Sequence, residues 1–78
     1  MAHERLDPVL LPVLADAGTP LTGAQLAARC RDPWAPPLVD EWLREAFFRG
    51  LVNVRRQSDL PSEWILTPRG ERAARRAR

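Results

Sequence analysis

Leu6, Leu10, Val13, Leu14 and Ala17 recur every three or four positions, which predicts a first helix with one apolar face. Asp7-Pro8 opens it, with Asp7 as N-cap and Pro8 at the first helical position, and Gly18 closes it as a left-handed cap. Pro12 removes one backbone bond inside the helix and predicts a kink in its first turns. Thr19-Pro20-Leu21 reads as a short extended bridge. Thr22-Gly23-Ala24-Gln25 fits a capping box, in which the Thr22 hydroxyl and the Gln25 amide each serve the other's backbone donor. The second helix then runs to Arg29 or Cys30, with Leu26, Ala27 and Cys30 facing inward.

Asp32 to Pro37 holds three prolines in six positions and reads as a turn carrying Trp34. A third helix follows over 38–49, with Val39, Leu43, Ala46 and Phe47 on its core face and Gly50 at its end. Residues 51–56 have strand character, 57–62 are turn-rich, and Glu63-Trp64-Ile65-Leu66 is a returning strand, so 51–66 reads as a hairpin. Thr67-Pro68 caps a last helix over 68–77. Its apolar contacts are only Ala73, Ala74 and Ala77, which predicts a weakly docked helix.

At 78 residues the chain is one domain, 1–78, with 1–6 as a flexible tail. The element order predicts an α+β, mostly α fold: three helices packed on a short hairpin, followed by a C-terminal helix. In a winged helix-turn-helix the second and third helices form the helix-turn-helix and the hairpin is the wing.

Three segments resemble one known group of proteins. Pro20-Leu21-Thr22-Gly23-Ala24-Gln25-Leu26-Ala27 is similar to the start of the second helix of winged-helix regulators. Leu43-Arg44-Glu45-Ala46-Phe47-Phe48-Arg49-Gly50-Leu51-Val52 resembles their recognition helix running into the wing. Trp64-Ile65-Leu66-Thr67-Pro68-Arg69-Gly70 resembles the returning wing strand and the leucine-threonine-x-x-glycine junction of PadR- and MarR-type regulators. The resemblance covers residues 8–75 and implies a transcriptional regulator that inserts its third helix into the major groove of double-stranded DNA. The wing would touch the backbone or minor groove. The longer dimerisation and effector segments of those regulators have no counterpart here.

Charge supports an anionic partner only on one side. Residues 1–48 carry four arginines against seven acids, net −3; residues 49–78 carry eight against three, net +5. The DNA candidates are Arg44 for base edges, Arg55, Arg56 and Arg69 as phosphate anchors, and Arg49 and Arg72 beside them, while the arginines of the last helix fit phosphate, an acidic protein surface or water equally. Arg49 has an alternative as a cation at a helix C-terminus. Arg55 and Arg56 are sequence neighbours and so point to opposite sheet faces.

The outward face of the third helix fits DNA less well. Glu41 and Phe48 lie opposite the core side, with Arg44 and Glu45 beside them and Asp40 on the flank. Acids repel phosphates, whereas an exposed Phe48 near Trp42 and Leu38 suits a protein partner or a homodimer. Phe48 has three readings: folded back onto the hairpin, in contact with protein, or against a thymine methyl. The protein-interface alternative comprises Trp34, Leu38, Glu41 and Phe48. Trp42 and Trp64 read as core, and Trp34 as partly exposed.

His3 is the only histidine and Cys30 the only cysteine, and there is no catalytic triad, phosphate loop or metal-ligand spacing. A non-enzymatic protein without a cofactor, metal or small-molecule ligand is therefore expected. No apolar run reaches membrane-spanning length, and the start lacks a signal-like core, which predicts a cytoplasmic location.

Overall fold

A computed structural model describes residues 5–30 and 36–77. Among these, four helices and one three-stranded antiparallel sheet make an α+β fold that is mostly helical. α1 spans Asp7–Ala17, β1 Leu21–Thr22, α2 Gly23–Arg29, α3 Pro36–Phe48, β2 Val52–Gln57, β3 Leu60–Leu66 and α4 Pro68–Ala77. The strand order is β1-β3-β2, so β3 is central, and β1 pairs Leu21 with Trp64 and Thr22 with Glu63.

Three of the local signals for helix ends hold. Thr22 Oγ1 accepts from the Gln25 amide at 3.1 Å while Gln25 Oε1 accepts from the Thr22 amide at 2.9 Å. Gly18 ends α1 at φ 68°. At the end of α3, Gly50 N–H donates to the Phe47 carbonyl at 3.0 Å and Leu51 N–H to the Ala46 carbonyl at 2.9 Å. That is a Schellman closure, and Gly50 supplies its left-handed residue at φ 78°. Arg49 is therefore the C-cap, one residue beyond α3.

Two boundaries differ from expectation. α3 begins at Pro36 rather than Leu38, because the first amides of a helix have no intrahelical partner and proline forfeits nothing there. Asp7 is the first residue of α1, and the N-cap position falls on Leu6, which makes no side-chain cap. Leu6, grouped with the tail by sequence, is buried in the core. The hairpin turn is also shorter than predicted, since β3 starts at Leu60. Its pairing shifts between Arg55 and Gln57, where β3 carries the extra residue. Pro61 falls in this irregularity, where a missing amide interrupts no ladder bond.

The core joins Leu6, Leu10, Leu11 and Leu14 of the first helical segment, Leu21, Leu26, and Val39, Trp42, Leu43 and Ala46 of α3 to Leu51, Val52, Leu66 and Ala74. Leu11 is buried although the sequence pattern passed over it, and Val13 only borders the core. Phe47 is the larger correction: expected inward, it is 42% exposed. It stands about 90° around the helix from the centre of the stripe formed by Val39, Trp42, Leu43 and Ala46. Trp42 is fully buried as expected, and Trp64 is half-buried against the core.

One polar tie links the two ends of the fold. Asp7 Oδ1 accepts from Trp42 Nε1 at 2.8 Å and from Arg49 Nη2 at 2.8 Å, and its Oδ2 accepts from Arg49 Nη1 at 2.9 Å. The acid stands at the start of α1 and the cation at the end of α3, where each helix dipole favours that sign. Burial pushes the Asp7 carboxyl upward, but the Arg49 and Trp42 hydrogen bonds and the Arg49 charge outweigh it and hold it below its usual 3.8. A depressed carboxyl stabilises the fold above its unfolded pKa, and that stabilisation is lost as pH falls through the lower folded value. Denaturant midpoints measured at neutral pH and at progressively more acidic pH should fall below about pH 4. Asp7→Asn should cost roughly 1–3 kcal/mol at neutral pH and flatten the acid limb. An unchanged acid limb in Asp7→Asn would remove this tie from the stability of the fold.

Candidate functional site

The outward side of α3 is exposed and carries large apolar groups. Pro37, Asp40, Glu41, Arg44, Phe47 and Phe48 are all exposed on it. Phe48 is 84% exposed and meets Phe47 edge to face, with ring centroids 5.8 Å apart. The fold-back of Phe48 onto the hairpin, one of its three sequence readings, does not occur. Pro37, Glu41, Arg44 and Phe48 lie at successive spacings of four, three and four, which draws one straight stripe along the helix.

A shallow cleft of 380 Å³ runs beside this stripe. Asp40 and Arg44 form one wall, Thr22 and Gly23 at the start of α2 a second, and Pro61 and Trp64 of β3 the third. Arg44 therefore stands at the edge that the stripe shares with the cleft.

Three of the six arginines expected to face DNA are engaged by other groups of the fold. Arg49 is bound by Asp7 through both terminal nitrogens. Arg55 Nη2 donates to Glu63 Oε1 at 2.6 Å, and Gln57 Nε2 donates to the same oxygen at 2.9 Å. Cross-strand pairing explains this: Arg55 and Glu63 are register partners, so their side chains share the outer sheet face. Arg69 Nη1 donates to the Arg49 carbonyl at 3.2 Å, at the closure of α3. Arg44, Arg56 and Arg72 are exposed on three different elements.

Of the alternative protein-facing set, Glu41 and Phe48 share the outward stripe, while Leu38 is half-buried against the core. Leu38 and Phe47 both stand about 90° from the stripe's centre, on opposite flanks, and only Leu38 packs against the core. Trp34 lies outside the described residues. The sequence reading missed Pro37 and Phe47 as surface groups. The spacing of Pro37 with Glu41, Arg44 and Phe48 was the available signal.

Other chemistry is sparse among the described residues. No group of three histidine, cysteine or acidic side chains could hold a metal ion. Cys30 is half-buried, its Sγ–H donates to the Leu26 carbonyl at 3.3 Å, and burial pushes its thiol up. No helix is long and apolar enough to cross a membrane. No family model, curated protein or solved structure matches the chain.

Proposed function

We propose that the chain is a winged helix-turn-helix module whose α3 docks a protein surface rather than reading base edges. Support for the winged-helix reading comes from the order of elements and from a three-stranded sheet in the order β1-β3-β2, with α2 and α3 consecutive and β2–β3 as the wing. The observation that carries the docking reading is the stripe itself. The helix that would enter a DNA groove presents proline, glutamate, one arginine and an 84%-exposed phenylalanine. Base-reading helices present several hydrogen-bonding groups, whereas an exposed aromatic anchor such as Phe48 marks protein interfaces. The domain on this reading is a binding module, not an enzyme.

Duplex DNA is the second reading, and one observation favours it: Arg56, Arg69, Arg72, Arg75 and Arg76 are all exposed. Such contacts bind phosphate without reading sequence.

A duplex-binding assay over a salt series separates the two. Docking through α3 predicts at most a sequence-indifferent association that fades between about 50 and 200 mM salt. Arg56→Ala or Arg72→Ala should weaken that association, and Arg44→Ala should leave it unchanged. Sequence-selective binding that Arg44→Ala weakens by roughly 1–3 kcal/mol would overturn the docking reading in favour of DNA.

A further inference from the structure

We infer that the partner of the α3 stripe is a second copy of this chain, paired antiparallel about a two-fold axis between Trp42 and Leu43. The inference rests on the docking reading above and names its occupant. In an antiparallel helix pair, residues whose numbers share one sum stand at the same height. About the Trp42–Leu43 midpoint, Glu41 of one copy faces Arg44 of the other, and Pro37 faces Phe48. The two-fold axis repeats both contacts, so the exposed stripe is complementary to itself in charge and in apolar contact.

Spacing supports the same arrangement. The four-three-four spacing is that of a coiled-coil seam, with Pro37 and Arg44 at one type of seam position and Glu41 and Phe48 at the other. Antiparallel seams pair the two types with each other, which is the pairing drawn here. Parallel pairing would stack Glu41 on Glu41 and Arg44 on Arg44. A slip of one turn in either direction would set one of Glu41 and Arg44 against an apolar side chain and leave the other opposite none of the stripe. The flanking acids tolerate the antiparallel register, because the two Asp40 residues stand five positions apart along the axis, about 7.5 Å. The two Glu45 residues are offset equally.

A 13-residue helix is about 20 Å long, which places its pairing at the small end of specific interfaces. The dimer is therefore weak, and the test is a concentration series. Sedimentation of the full chain from about 10 µM to about 1 mM should show the average mass rising from 8.8 kDa toward twice that value. Glu41→Arg alone and Arg44→Glu alone each oppose like charges across the axis. Each should raise the dimer Kd roughly tenfold or more while circular dichroism stays unchanged. An equimolar mixture of the two variants should associate, because every facing pair is then opposite in sign. The double variant should self-associate like the parent, and Phe48→Ser should weaken association in either background.

A wild-type chain that stays monomeric over this range overturns the inference. So does a mixture of the two single variants that fails to associate, or a dimer indifferent to both single changes. A monomer without Arg44-dependent DNA selectivity overturns self-pairing alone and leaves the docking reading standing.

Discussion

Trp42→Ala should remove most of the stability of this domain. Trp42 is the largest fully buried side chain, at 0% exposure, and packs in the core stripe of α3. Truncating a buried tryptophan costs about 3–5 kcal/mol, through lost transfer energy and the cavity left behind. A domain of this size holds only about 4–12 kcal/mol in total. The change also strips Asp7 of its indole donor, 35 positions away in the chain. At about 4–8 °C per kcal/mol, thermal unfolding followed by circular dichroism should show a drop of roughly 12 °C or more. Trp64→Ala is the comparison, because Trp64 is half-buried and should cost clearly less. Equal losses at the two tryptophans would mean that α3 is not the centre of the core.

Gly70→Ala should destabilise the fold although it replaces glycine inside a helix. In an ordinary helix interior the change gains about 1 kcal/mol. Here a Cβ would overlap the Leu51 carbonyl oxygen, stand 2.9 Å from the Leu51 carbonyl carbon and 3.0 Å from Leu66 Cδ2. The obstructing oxygen is backbone, and it accepts from the Thr67 amide at 3.0 Å, so it cannot retreat without breaking that bond. Thr67 in turn donates its hydroxyl to the Gly50 carbonyl at 2.6 Å and accepts from the Gly70 amide at 3.0 Å. The junction after β3 is thus clasped to the end of α3, and a Cβ at position 70 would prise it open. A cost of about 3 kcal/mol is expected, read as a lower denaturant midpoint with loss of α4 helicity. Gly18→Ala makes the contrast: nothing lies within 4 Å, so only the positive φ is strained and the cost should be about 1–2 kcal/mol. A stabilised Gly70→Ala would show that α4 does not sit against Leu51.

The segment Leu66-Thr67-Pro68-Arg69-Gly70 shows how far a sequence pattern reaches. Thr67 as a cap and Pro68 at the first helical position follow from neighbours in the chain. The need for glycine at 70 comes from a carbonyl 19 positions earlier, which periodicity cannot report. The same division runs through the interaction surface. Its acids, Arg44 and Phe48 could be placed outward from helical spacing alone. Phe47 could not, since its spacing fits the inward cluster as well as the rim, and the packing of Trp42 decided between them.

Elements, caps and charge polarity were set by residues within about four positions of one another, and those the amino-acid order determined by itself. The capping box at Thr22, the glycine closures at 18 and 50 and the basic final helix belong to that class, and the alternation of 51–66 showed the hairpin though not its register. Tertiary structure alone decided which cations are spent inside the fold. Arg49 reaches Asp7 across 42 positions, and Arg55 meets Glu63 only because the strand register sets them opposite. Side chains that helical or strand periodicity leaves equally exposed differ in whether the rest of the chain brings an opposite charge to them, and only the packed fold makes that choice.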